Sequence, residues 1–136
     1  MPIPDSHYIV YADDDADDIQ FFHEYFSGVS DLPILSFENG RELISFLTTV
    51  PPGRFPLIII LDINMPVMSG WETVAYLRND ERYREIPLLM FSTTAAQNEQ
   101  RNASLYKVDV ITKPHNGEMA VSVVQKLKSY IPEQPS

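Results

Sequence analysis

Residues 57–61 are five consecutive apolar residues, and an aspartate, Asp62, closes the run. Pro56 precedes the run, and a loop that contains Pro66 and Gly70 follows it. A continuous apolar segment this short is typical of a central parallel strand that is buried on both faces. Ligands of open parallel sheets bind at the carboxyl ends of the strands. Asp62 is therefore a candidate for chemistry, with capping of the next turn as the structural alternative.

Three other apolar segments also end in polar or charged side chains. Parallel strands place their carboxyl ends at one edge of the sheet, so these side chains should converge with Asp62 on one crevice. The pairs that follow the segments are Asp13-Asp14, Ser92-Thr93 and Lys113-Pro114.

This combination of side chains predicts an aspartyl-phosphate site. Carboxylates held close together repel one another unless a cation lies among them. Oxygen ligands suit Mg²⁺, which commonly engages one or two carboxylates together with a phosphate. Lys113 offers a point charge for a phosphate oxygen, and the hydroxyl of Ser92 can donate to another. These groups would surround Asp62, which would be the nucleophile. They would supply the positioning and charge neutralisation on which phosphoryl transfer mainly depends.

The segments that must position these residues alternate between strands and helices. This order implies an α/β fold with a doubly wound parallel sheet and right-handed crossovers. Strands are predicted at residues 7–12, 33–37, 57–61, 87–91 and 108–112. Four helices are indicated by apolar residues at helical spacing, namely Ile19, Phe22 and Phe26, then Leu43, Ile44 and Leu47, then Trp71, Val74 and Leu77, and finally Ala120, Val123, Val124, Leu127 and Ile131. A polar fourth helix is predicted at residues 95–106.

The acidic run that follows Asp14 has a structural explanation. Asp15 can be the N-cap of the first helix, and Asp17 and Asp18 in its first turn complement the helix dipole. We therefore interpret these carboxylates as a solvated start of a helix.

Composition predicts one soluble, cytoplasmic domain, with residues 7–131 as its core and residues 132–136 as a loose tail. The chain has 136 residues, which is enough for a single core. Its formal net charge of −9 argues against direct binding to nucleic acid or to an anionic membrane surface. It has no cysteines, which excludes disulfides and thiolate metal sites. No apolar run approaches the length of a transmembrane helix.

In this order and with these spacings the motifs resemble the receiver domain of two-component response regulators, over residues 8 to about 131. The resemblance implies a flavodoxin-like, five-stranded (βα)5 fold that acts as a phosphorylation switch. The segments that carry it are Asp13-Asp14, residues 61–66 around Asp62 together with Gly70, Ser92-Thr93 and Lys113-Pro114.

The resemblance also implies a role for each site residue. Asp62 would accept a phosphoryl group from a histidine kinase or a histidine phosphotransfer protein. Asp14, Asp62 and the backbone carbonyl of Asn64 would bind Mg²⁺, with Asp13 acting directly or through water. Lys113 would pair with the phosphoryl group.

Five positions would modulate or transmit the signal. Ser92 would turn its hydroxyl toward the phosphoryl oxygen, and Thr93 belongs to the same switch segment. Asn64 and Thr94 match variable positions that affect how long the phosphate lasts. Val110 departs from the family pattern, which usually has an aromatic residue three positions before the lysine. Phosphorylation is expected to shift the 92–113 region and so to change binding of a target protein or formation of a dimer.

Three functions are compatible with these residues. The leading one is a stand-alone, chemotaxis-regulator-like receiver that catalyses only its own phosphoryl transfer and slow autodephosphorylation. The second is a phosphohydrolase with an aspartate nucleophile, but Asn64 stands where such enzymes typically carry a second acid. The third is a receiver-like interaction module that no longer takes phosphate, and the intact acidic set argues against it.

Overall fold

Strands and helices alternate strictly along the chain in the computed structural model, which describes residues 2–28, 30–93 and 97–131. The strands are β1 (Ile9–Ala12), β2 (Ile34–Phe37), β3 (Ile58–Asp62), β4 (Leu88–Ser92) and β5 (Asp109–Thr112). The helices are α1 (Ala16–Ser27), α2 (Gly40–Leu47), α3 (Gly70–Asn79), α4 (Gln97–Tyr106) and α5 (Gly117–Lys128). The predicted α/β class is confirmed.

All strand pairs are parallel, and the sheet order is β2-β1-β3-β4-β5. The order reverses at β1, which pairs with β2 on one side and with β3 on the other. Such a reversal leaves a crevice outside the carboxyl ends of β1 and β3. Because Ala12 pairs with Leu61, the residues that follow Ala12 lie beside Asp62 at this crevice.

Helices cover both faces of the sheet, as the alternating β and α segments predicted. One face packs against α1 and α5 through Phe22, Phe26, Val123 and Leu127. The rings of Phe22 and Phe26 stack at a centroid distance of 5.7 Å. The other face packs mainly against α2 and α3. The sheet is therefore buried on both sides, and polar chemistry is confined to its edge.

Boundaries differ from the predicted ones by one or two residues. β3 and β4 each extend one residue further, because Asp62 pairs with Phe91 and Ser92 pairs with Thr112 in the ladder. The first strand begins at Ile9, two residues later than predicted. Residues 94–96, at the predicted start of the fourth helix, and the predicted tail at 132–136 lie outside the described residues.

No helix in the described ranges has both the length and the apolar character that a bilayer crossing requires.

Gly70 is needed because the loop after β3 folds back on the end of that strand. The amide of Gly70 donates to the carbonyl of Ile63 at 2.8 Å. A Cβ atom at Gly70 would overlap the carbonyl oxygen of Asp62 and would lie 2.9 Å from the Cα of Ile63. Both neighbours are backbone atoms, so they cannot move aside as a flexible side chain would.

We expect Gly70→Ala to destabilise the protein by about 1–3 kcal/mol, since overpacking of this kind costs that much. Gly117→Ala is the matched control, because a Cβ there meets no atom within 4 Å and alanine favours a helix. Urea denaturation of both variants tests this. Equal stability of the two would show that the loop relaxes freely.

Candidate functional site

Three carboxylates converge at the crevice, as the strand-end pattern predicted. Asp13 follows β1 and is fully buried, Asp62 ends β3 and is 7% exposed, and Asp14 is exposed. One oxygen from each lies within 4.8 Å of the others. This spacing allows a single cation to contact all three side chains, and oxygen-only donors suit Mg²⁺ or a similar hard cation.

Asp13 is held in place by three donors from the protein. The hydroxyl of Tyr11 donates to its Oδ2 at 2.7 Å, and the amide of Asp15 donates to its Oδ1 at 3.0 Å. The ammonium of Lys113 also lies 2.7 Å from Oδ2. A carboxylate has about four lone-pair directions, so one on Oδ1 remains for a cation or a water molecule.

Lys113 is buried and contacts three carboxylates through its Nζ atom. The distances are 2.7 Å to Asp13, 2.6 Å to Asp18 and 3.7 Å to Asp62. The first two are charge-assisted hydrogen bonds, whereas the distance to Asp62 is too long for one. The lysine is thus placed beside the candidate nucleophile but is bound to other groups.

Sequence reasoning missed the contact of Asp18 and the hydrogen bond of Tyr11. Asp15 is the N-cap of α1, as predicted, and accepts hydrogen bonds from the amides of Asp17 and Asp18. From the first turn of this capped helix, the Asp18 side chain contacts the ammonium of Lys113. The available signal was a carboxylate in the first turn of the helix that directly follows Asp13-Asp14.

Ser92 and Lys113 are linked through the backbone. The amide of Lys113 donates to the carbonyl of Ser92 at 2.8 Å, and both residues are buried. Thr93 is exposed, and Thr94 lies outside the described residues. The structure therefore brings Ser92 to the same edge as the acidic cluster.

The remaining two predicted positions are not fully buried. Asn64 is exposed two residues after Asp62. Val110 is half-buried on β5 and packs against the core on the α2 and α3 side of the sheet.

The loop after Asp62 contains a strained residue that the sequence did not indicate. Val67 has a φ of 67°, which a β-branched residue rarely adopts, and it is 70% exposed. The amide of Met68 donates to the carbonyl of Pro66 at 2.6 Å, which closes a tight turn around Val67. Such a conformation costs about 1–3 kcal/mol and persists because its surroundings enforce it.

Burial and neighbouring negative charge disfavour the ionised form of the candidate nucleophile. Burial, followed by the charge of Asp13, raises the pKa of Asp62 from 3.8 to about 6, although Lys113 opposes the shift. Burial alone would lower the pKa of Lys113, but its hydrogen bonds to Asp13 and Asp18 raise that pKa above its usual value. Lys113 therefore stays protonated at neutral pH, whereas the pKa of Asp62 lies well above its usual range.

Comparison with known proteins agrees with this geometry. Residues 9–125 match the model of the response regulator receiver domain family. The chain is 27% identical over 123 residues to the sensor histidine kinase CheAY of Helicobacter pylori, which covers 89% of this chain and 15% of CheAY. Across CheAY and two other curated relatives, CheV2 of the same organism and FilR2 of Methanothrix harundinacea, the chain spans 15–61% of the relative's length.

Solved structures share the fold. The chemotaxis protein CheY4 of Vibrio cholerae superimposes with a TM-score of 0.73 at 23% identity, covering 88% of this chain and 97% of CheY4. The Mn²⁺-bound form of response regulator Rcp1 superimposes with a TM-score of 0.79 at 20% identity, covering 96% of this chain and all of Rcp1.

We expect Asp62→Asn to stabilise the metal-free protein at pH 7.5 by about 1–3 kcal/mol, because ionised Asp62 is disfavoured in the native state. A native pKa above the unfolded value means that the native state binds more protons between pH 4 and 6. Wild-type stability from this group is therefore lost as the pH rises through that window. The difference in free energy of unfolding between Asp62→Asn and the wild type should grow from pH 4 to 6 and level off above pH 7.

Urea denaturation in EDTA at pH 4.5 and 7.5 measures this difference. Asp31→Asn, at an exposed position, is the control and should show no such step. Added Mg²⁺ should narrow the gap at pH 7.5, since a ligand of the native state stabilises it. A gap that stays constant with pH would contradict the raised pKa.

Proposed function

The chain belongs to the response regulator receiver family of two-component signalling, and from this we propose that Asp62 accepts a phosphoryl group from a histidine kinase or phosphotransfer protein. The family's general function is that of a phosphorylation-activated switch, and its members are signalling domains. The observation that carries the proposal is the position of Asp62, at the end of β3 beside the acidic pair and Lys113.

The acidic cluster fits Mg²⁺, as the donor chemistry indicates. Asp14, Asp62 and the backbone carbonyl of Asn64 would hold the ion, while Asp13 would contribute through the lone pair of Oδ1 that the protein does not use. The ion, when bound, supplies positive charge that offsets the repulsion among the carboxylates and the phosphoryl oxygens. The structure of Rcp1 is of an Mn²⁺-bound form, which supports a divalent cation for this chain as well.

The chemical step is a transfer from a phosphohistidine to an oxygen of Asp62. A new P–O bond forms while the P–N bond breaks, and the imidazole nitrogen keeps the electron pair and takes up a proton. Lys113 lies 3.7 Å from Asp62 and can reach a phosphoryl oxygen after a small movement. Ser92 would donate its hydroxyl to another oxygen. Attack by water on the acyl phosphate would return the free carboxylate.

The phosphoryl signal would leave through the 92–113 region. None of the described side chains of α4 is fully buried, so few apolar contacts hold the helix in place. Its last turn is nevertheless fixed, because Nε of Arg78 donates to the carbonyl of Tyr106 at 3.0 Å and Trp71 stacks on Tyr106 at 6.3 Å. We therefore propose that α4 pivots about this end when Ser92 and Lys113 move, changing target binding or dimerisation.

We expect acetyl phosphate with Mg²⁺ to add one labile phosphoryl group to the wild type, as seen by intact mass. Asp62→Asn should abolish labelling, because it removes the anionic oxygen, while Asp31→Asn should label normally. EDTA should suppress labelling, because it removes the cation that offsets the charge of the carboxylates. Labelling of Asp62→Asn at the wild-type level would refute the assignment.

We expect Lys113→Ala to accept phosphate, more slowly, and to lose the conformational response. Amide exchange across residues 97–112, with and without phosphate, measures that response. Lys126→Ala is the control, because it also removes a lysine that pairs with an aspartate. The ammonium of Lys126 lies 2.9 Å from Asp109, on β5. An undiminished response in Lys113→Ala would show that another group reads the phosphate.

A further inference from the structure

We propose that Asp18 is a positioning residue that holds Lys113 in the unphosphorylated state and competes with the phosphoryl group for its ammonium. The competition sets how readily the switch responds to phosphate. This inference depends on the proposed role of Asp62 and adds a residue to it.

The contact distances show which carboxylates hold Lys113. Nζ is 2.6 Å from Asp18, 2.7 Å from Asp13 and 3.7 Å from Asp62. An ammonium group has three donors, and two of them are directed at Asp18 and Asp13. The third donor can turn to a phosphoryl oxygen on Asp62, and the phosphoryl group then competes with Asp18 and Asp13 for a single ammonium charge.

Asp18 is the partner that can be released. The side chain of Asp13 is fully buried and also accepts hydrogen bonds from Tyr11 and from the amide of Asp15. If Lys113 moved away, the negative charge of Asp13 would be left unpaired in a buried environment, which is strongly unfavourable. The side chain of Asp18 is 34% exposed, so water can replace the lysine there.

Phosphorylation changes the balance between these two acceptors. The phosphoryl group adds negative charge and strong acceptor oxygens next to Asp62, so the ammonium is drawn toward it. Each conformer is then stabilised by a different anion, Asp18 in one and the phosphoryl group in the other. Removing the charge of Asp18 should shift the population toward the phosphate-bound arrangement.

A neighbouring residue provides a matched control. Asp17 lies in the same first turn of α1 and is exposed. Among the described residues, the carboxylates within ion-pair distance of Lys113 are those of Asp13, Asp18 and Asp62. Asp17→Asn and Asp18→Asn therefore remove the same charge from the same helix end, and only the second removes the contact.

The test uses beryllofluoride, an analogue of the acyl phosphate, titrated with Mg²⁺ present. Emission from the single tryptophan, Trp71, and amide exchange across residues 97–112 report binding and response. We expect Asp18→Asn to tighten the apparent beryllofluoride affinity about twofold to fivefold relative to Asp17→Asn, the range of a partly exposed ion pair. Asp18→Ala should change the beryllofluoride affinity in the same direction, and this variant replaces Asp18→Asn in the test if the latter folds poorly.

A double-mutant comparison separates contact from field. In a Lys113→Ala background, the difference between Asp18→Asn and Asp17→Asn should vanish, because the proposed effect passes through the lysine. Equal affinities of the two single variants, weaker binding by Asp18→Asn, or a difference that survives in Lys113→Ala would each overturn the inference. Failure of the wild type to bind beryllofluoride or to be labelled would instead overturn the role of Asp62.

Discussion

The buried ion pair between Asp13 and Lys113 is the interaction on which the site depends. Asp13 follows β1 and Lys113 follows β5, and the ends of β3 and β4 lie between them in the sheet order. The pair therefore spans the carboxyl edge of the sheet and passes beside Asp62. Both side chains are buried, so removal of either partner would leave an uncompensated charge, which is far more costly than an exposed one. This constraint fixes the position of the cation before any phosphate arrives.

The same ion pair explains why the site is poised rather than relaxed. Lys113 forms short contacts with Asp13 and Asp18, but Asp62 is left at 3.7 Å in a buried position, and its pKa is raised to about 6. The native state thus keeps a carboxylate whose ionisation is unfavourable until more positive charge is supplied. A divalent cation bound among the three aspartates, or a movement of Lys113 toward Asp62, would supply that charge and favour the ionised form.

The sequence was sufficient for the fold and for the membership of the acidic cluster, because both follow from rules that hold locally. Apolar runs ending in polar residues specify parallel strands whose ends must meet, and this placed Asp62 beside Asp13 correctly. Side-chain directions after the strand were not accessible in the same way. The contact of Asp18 with Lys113 joins the first turn of α1 to the residue that follows β5, and Val67 is a residue type that disfavours the backbone it adopts. Neither position could be read from periodicity or propensity.

In the proposed competition, the partly exposed Asp18 also keeps the switch reversible, because it offers the buried Lys113 a partner when no phosphoryl group is present. Without Asp18, the N–H that Lys113 directs at it would have no carboxylate partner in the resting state. The lysine would then attract any anion that entered the crevice. Asp18 supplies an anion of the protein's own at 2.6 Å, within the first turn of α1. The resting and activated arrangements then each satisfy the lysine, and the free-energy difference between them stays small. A small difference is what allows one added phosphoryl group to change the dominant conformation.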